Sequence, residues 1–118
     1  MSYNGIDVST WQGNIDWKKV ESSGIDFAMI RASYGTSSVD NQFYNNMQNI
    51  SGTNINAGTY HYCYALSVDE AEAEAKNFIN TIRPYSFSYP VALDIEDSSI
   101  MSLGKSTITD IATRFCNV

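Results

Sequence analysis

Strand-like and helix-like segments alternate four times along this chain, and that alternation limits the fold more than any other feature of the sequence. Tyr3 to Val8 reads as a first strand. Asn14 or Asp16 can cap a short helix carrying Trp17, Val20 and Glu21, with Gly24 to end it. Phe27-Ala28-Met29-Ile30-Arg31-Ala32 is a near-continuous apolar run, the pattern of a strand buried on both faces. Asp40 can cap a helix with Phe43, Met47 and Ile50 on one side, ended by Gly52. Ala57 to Ala65 forms a third strand. Ser67 and Glu70 match a capping box ahead of a helix from Val68 to Ile82. Its apolar stripe is Ala71, Ala75, Phe78, Ile79 and Ile82, and Pro84 stops it. Val91 to Glu96 is a fourth strand opened by Pro90, and a last helix starts near Ser106 or Thr107 and runs to Val118.

Four such units in succession imply an α/β fold with a parallel sheet and covering helices. In folds of this kind the loops at the C-terminal ends of the strands carry function. Three acids fall there: Asp7 near the end of the first strand, and Asp94 and Glu96 at the end of the fourth.

Composition narrows the class further. The chain has 118 residues, which suggests one domain, and 43% of them are hydrophobic, enough to bury a core. Only 17% are charged, which indicates neither disorder nor a coiled coil. The net charge of −6 argues against a nucleic-acid partner, because phosphate contacts need a basic face. No run approaches the length of about 18 apolar residues that a membrane span needs. The N-terminus has neither a basic region nor an apolar signal core, so an export signal was removed or another route out of the cell is used. Cys63 and Cys116 form no metal pattern and are expected to be reduced core residues, with pairing to each other as the alternative. No metal or cofactor is expected. A P-loop, a G-x-S-x-G elbow and an H-E-x-x-H pair are all missing, and Ser9 and Ser33 lack the context of a nucleophile.

The spacing of Asp94 and Glu96 is where chemistry first shows. Strand alternation puts both on one face, with Cα atoms roughly 6.5–7 Å apart. Their carboxyl groups can then approach to about 5 Å, the separation of retaining glycosidases, whereas inverting enzymes need about 6.5–9.5 Å. Crowded carboxylates also divide into one that keeps a proton and one that stays ionised. Asp94 interrupts the apolar run Val91-Ala92-Leu93, so it is expected to face a site. Asp97 reads as a solvated residue where the strand frays, and Asp7 is balanced between a loop cap and a site residue. Tyr60, Tyr62 and Tyr64 share one strand face, suited either to stacking on a ligand or to core packing. His61, the single histidine, reads as a satisfied core residue or one that supports site residues from behind, rather than as a catalytic group. Arg31 lies inside an apolar strand and is expected to pair with a buried acid, Asp7, Asp94 or Glu96. Trp11 can line a binding subsite, while Trp17 reads as helix packing.

Taken together, these pieces resemble the lysozymes of glycoside hydrolase family 25, the Chalaropsis-type muramidases. The matching segments are Gly5-Ile6-Asp7-Val8-Ser9 with Trp11-Gln12-Gly13, then Phe27 to Gly35. Asp40, Phe43 and Asn46 follow, then Gly58-Thr59-Tyr60-His61-Tyr62, and Ala92-Leu93-Asp94-Ile95-Glu96. The resemblance implies a TIM-like flattened (β/α) barrel. It implies cleavage of the β-1,4 bond between N-acetylmuramic acid and N-acetylglucosamine in bacterial peptidoglycan, with retention. It makes Glu96 the general acid/base, Asp94 the partner carboxylate and Asp7 a supporting acid. Tyr62 matches a cleft aromatic position, and Tyr60, Trp11, Arg31 and Tyr34 are further substrate-contact candidates. Because the chain is acidic, wall binding is expected to come from shaped subsites, or from a separate module, rather than from bulk charge. The implied place of action is the bacterial cell wall, as a phage endolysin or a bacterial autolysin.

The chain departs from the family in length. The family's barrel has eight strands, so residues 1–118 read as its N-terminal part, with about the first four strand-helix units. A truncated, inactive carbohydrate-binding remnant is the alternative. An acetamido-sugar hydrolase of the family 18 type is a weaker fit, since it carries further alternating aspartates where this chain has Ala92. An open sheet exposes an unpaired edge. The isolated chain is therefore expected to self-associate and to be poorly active, and light scattering that finds a monodisperse, fully active monomer overturns this.

Overall fold

A computed structural model describes residues 4–89 and 91–117. The first strand, β1 (Gly5–Val8), leads through a 3-10 turn at Thr10–Gln12 into helix α1 (Trp17–Ser22). Strand β2 (Phe27–Tyr34), a two-residue β3 (Ser38–Val39) and helix α2 (Phe43–Ile50) follow. Then come β4 (Asn56–Tyr62), α3 (Val68–Ile82), β5 (Val91–Asp94), α4 (Ser98–Met101) and α5 (Lys105–Cys116). The principal strands run parallel in the order β1-β2-β4-β5, and β3 folds back antiparallel on β2. The expected α/β architecture is present, with β1 and β5 as the edges of an open sheet among the described residues. Tyr3, Pro90 and Val118, assigned above to a strand start, a strand opening and a helix end, lie outside the described residues.

Helix starts follow their caps. Asp16 Oδ1 accepts from Lys19 N at 3.3 Å, and Ser67 Oγ accepts from Glu70 N at 3.2 Å. Asp40 behaves differently from the expected simple cap. Gln42 is the N-cap of α2 and makes no side-chain cap bond. Asp40 Oδ1 accepts from Gln42 N at 2.9 Å, while Oδ2 accepts from Arg31 Nε at 2.8 Å and Thr10 N at 2.9 Å. A carboxylate buried this fully needs a charged partner and several donors, so it ties three segments together instead of one.

Burial on both faces of β2 is corrected in part. Ala28, Ile30 and Ala32 are fully buried in the core, whereas Phe27, Met29 and Arg31 are only half-buried on the other face. Within the core, α2 and α3 pack on β2, and α5 packs on α3 and β5. Phe43, Met47, Ile50, Ala71, Ala75, Phe78, Ile111 and Phe115 supply the helix side. Trp17 is buried, and its Nε1 donates to Asn46 Oδ1 at 3.3 Å, as expected of a packing residue. Ile79 and Ile82, expected in the buried stripe, are half-buried. With Val91, Leu93, Phe115 and Cys116 they line an apolar groove of about 320 Å³ beside the β5 edge. Both cysteines are free, but only Cys63 is a core residue; Cys116 is exposed at the end of α5.

Two short elements escape sequence periodicity. β3 and α4 are too brief to show a repeat. Asp97, read above as a solvated strand end, is the N-cap of α4: its carboxylate accepts from Ser99 N at 3.2 Å and from the Ser99 hydroxyl. Phe43 is fully buried and packs edge-on to Tyr85, with ring centroids 5.3 Å apart. Phe43→Ala is expected to destabilise the chain by about 3–5 kcal/mol in chemical denaturation.

Candidate active site

Strand register gathers the candidate residues on one face of the sheet. Asp7 pairs with Met29, Arg31 with Tyr60, Tyr60 with Ala92, and Tyr62 with both Tyr34 and Asp94. Neighbours in register point the same way, so these side chains rise in tiers toward the C-terminal ends of the strands. There, Asp7, Met29, Tyr60, Ala92, Leu93, Asp94 and Glu96 line an open cleft of about 490 Å³. All three acids singled out in the sequence therefore line the same space.

Glu96 reaches the cleft by a different route from the one expected. The strand ends at Asp94, and residues 95–97 are irregular, so strand alternation does not place Glu96. Glu96 is exposed, lines the same cleft as Asp94 and hydrogen-bonds to it through its side chain. Asp94 is half-buried and its pKa is pushed up to about 6. Burial contributes most, then the charge of Glu96, the hydrogen bond between the two carboxyls, and the charge of Asp7. The pair thus keeps one proton into mildly acidic solution.

Tyr60 lines the cleft with the acids, whereas Tyr62, Tyr34 and Arg31, also singled out in the sequence, are not among its lining residues. Burial raises the Tyr60 pKa to about 12; Arg31 opposes the shift, while Asp7, Asp94 and Asp40 add to it. Tyr60 is therefore a neutral hydroxyl donor at the cleft floor. Burial also raises the Tyr62 pKa, with Asp97, Glu96, Tyr64 and Asp94 adding to it. The Tyr62 and Tyr64 rings lie 5.0 Å apart, and Tyr34 meets Tyr64 edge-on at 6.3 Å. The Arg31 guanidinium sits 4.8 Å over the Tyr34 ring.

Arg31 corrects one expectation. Its partner is Asp40, not Asp7, Asp94 or Glu96. Asp40 comes from the turn after β3, which brings it back over β2, and no strand pattern signals that return. Trp11 stands on the 3-10 turn, 82% exposed, outside the residues that line the cleft. His61 is a satisfied core histidine as expected, held between Ser33 and Glu74. Met29 and Leu93 line the cleft without having been singled out; Met29 carried a signal, since it lies two residues before Arg31 on the same strand. Among the described residues no group of His, Cys, Asp or Glu is arranged to hold a metal ion, and no helix is long and apolar enough to cross a membrane.

Known proteins share this arrangement of elements. Lysozyme M1 of Streptomyces globisporus is 38% identical over 108 residues, which is 87% of this chain and 36% of that protein. A family 25 glycosyl hydrolase from Bacillus anthracis superposes with a TM-score of 0.84 at 28% identity, covering 98% of this chain and 54% of that one. The modular autolysin LytC of Streptococcus pneumoniae, solved with a synthetic peptidoglycan ligand, superposes with a TM-score of 0.82 at 29% identity, covering 96% of this chain and 28% of that one. The chain thus spans a little over a third of the length of the Streptomyces relative. The sequence pattern of the glycosyl hydrolases family 25 matches residues 6–117, nearly the whole length, and the chain belongs to that family.

Proposed function

We propose that this chain carries the acidic site of a peptidoglycan hydrolase, a lysozyme that cleaves the β-1,4 bond between N-acetylmuramic acid and N-acetylglucosamine with retention. The observation that carries the reading is the convergence of Asp7, Asp94 and Glu96 on one cleft, where burial and the neighbouring acids push the Asp94 pKa up to about 6. Lysozyme and autolysin relatives, one of them solved with a peptidoglycan ligand, support the substrate class.

In this mechanism Glu96 gives its proton to the glycosidic oxygen as the C1–O bond breaks. Asp94 supplies negative charge at the anomeric centre, as nucleophile or by orienting the 2-acetamido group, and both routes retain configuration. Water then attacks C1 and returns a proton to Glu96. Asp7 raises the proton affinity of the pair by its charge. Tyr60 donates a hydrogen bond within the cleft, and Tyr62 and Tyr34 offer faces to the sugar chain. Trp11 is an outlying contact for that chain. Arg31 acts on it indirectly, through its ion pair with Asp40 and its stacking on Tyr34. Bacterial cell wall is the partner, and the site of action lies outside the cytoplasmic membrane, as for an autolysin or an endolysin.

A second reading is a carbohydrate-binding remnant without turnover, for which tyrosine faces beside the acids suffice. Glu96→Gln separates the two. It is expected to lower release of reducing sugar from peptidoglycan by about 10²-fold or more while leaving the melting temperature unchanged. Release undiminished by that substitution excludes Glu96 as the acid, and no release from the unsubstituted chain with binding intact favours the remnant.

The pH response has a definite sign. Below about pH 6 the pair holds the one proton that acid catalysis needs; above it both carboxyls are ionised. Activity is therefore expected to fall as pH rises through about 6 in the kcat/KM profile. A profile that is flat between pH 5 and 8, a range set about that midpoint, contradicts the shared-proton scheme.

A further inference from the structure

On the side of β4 away from the cleft lies a buried polar network that the proposed mechanism leaves unused. Ser33, His61 and Glu74 are all essentially inaccessible to solvent. Ser33 Oγ lies 2.7 Å from His61 Nδ1, and His61 Nε2 lies 2.7 Å from Glu74 Oε1. One neutral tautomer satisfies both contacts: Ser33 donates to Nδ1, and Nε2–H donates to Glu74. Glu74 also accepts from the backbone N–H of Tyr64, at 3.1 Å and 3.3 Å to its two oxygens. The Phe78 and Phe115 rings pack around the imidazole, with centroids 5.7 Å and 5.3 Å away.

We propose that Glu74, with His61, is a positioning residue that sets the Asp94 carboxyl in the cleft by clamping the end of β4. The connection is short. Tyr64 N, held by Glu74, is one residue beyond Cys63, whose own N–H donates to the Asp94 carbonyl at 2.9 Å. Register places His61 beside Leu93 and Tyr62 beside Asp94. The clamp on α3 therefore fixes the backbone of β4, and β4 fixes the backbone that carries the acid. Core packing does not require this arrangement. Glu74 stands in the stripe of Ala71, Ala75 and Phe78, where an apolar side chain meets no desolvation cost. A fully satisfied polar network at such a position selects one geometry rather than adding stability. An acid pair that must share a proton depends on geometry to a fraction of an ångström.

The catalytic half of this proposal rests on the lysozyme reading; the structural half does not. The test uses the full 118-residue chain and two substitutions. Glu74→Gln keeps an oxygen that accepts from both Tyr64 N and His61 Nε2, and Glu74→Leu removes it. Carbon-13 NMR of the side-chain carboxyls reads the Asp94 titration without any need for turnover. In Glu74→Leu the Asp94 midpoint is expected to fall by about one pH unit from its value near 6, as the two carboxyls part. On peptidoglycan, kcat is expected to drop by about 10²-fold with KM little changed. Glu74→Gln is expected to restore both. An Asp94 titration unmoved in a folded Glu74→Leu chain overturns the proposal, as does a Glu74→Gln chain displaced as far as Glu74→Leu. If Glu74→Leu does not fold, Ser33→Ala loosens the same histidine. A smaller shift in the same direction supports the clamp, and no shift overturns it. Absence of turnover in the unsubstituted chain counts against the lysozyme reading alone, because the NMR titration still decides the clamp.

Discussion

The parallel pairing of β2 with β4, broken by a single bulge between Arg31 and Ser33, governs the rest of this structure. A bulge adds one residue to a strand and so changes which face the following side chains take. Ala32 and Ser33 are both fully buried as a result, and Ser33 meets His61 on the helix side. Tyr34 returns to the cleft side next to Tyr62. In an unbroken strand Ser33 would follow Arg31 onto the cleft face, and Tyr34 would turn into the core. The sorting of polar network from tyrosines depends on that one inserted residue.

Charge is handled in two opposite ways across the sheet. Asp40 and Glu74 are almost fully buried and each has a nitrogen partner: Arg31 Nε at 2.8 Å for Asp40 and His61 Nε2 at 2.7 Å for Glu74. Both also accept backbone N–H bonds, so their charge is satisfied and they hold neighbouring segments in place. Asp94 is only half-buried and faces other acids instead of a cation. Burial and the acids beside it push its pKa up to about 6, so the Asp94–Glu96 pair together retains a proton below that pH. Acids of the same chemistry thus serve as struts or as a proton reservoir according to what lies opposite them.

Much of the site could be read from the chain because strands and their ends have simple signatures. Asp7 and Asp94 stood out as acids at the ends of apolar strands, and Tyr60 and Tyr62 by their period of two. The Arg31–Asp40 pair could not be read, because Asp40 returns to β2 through the short β3, and two residues carry no period. Glu74 was legible in principle: 71, 74, 75 and 78 are spaced as one helix face, but in an Ala/Glu-rich helix it passes for a solvated charge. Asp97 looked like a fraying end because a four-residue helix leaves too little pattern to show that it is a cap.

By itself the sequence determined the α/β class, the order of strands and helices, the main helix cap at Ser67 and the family, because these depend on local periodicity and on residues close together in the chain. The tertiary structure decided what those residues face. It set Glu96 beside Asp94 in one cleft beyond the end of β5, gave Arg31 to Asp40, and left one face of β2 half-open as the cleft. It also left an apolar groove beside β5, where the sequence pattern alone had placed Ile79 and Ile82 in a closed core. The physical reason is that burial and pairing are properties of the space between elements. A carboxylate's proton, an arginine's partner and a strand's open face are set by neighbours far along the chain, and no local pattern encodes them.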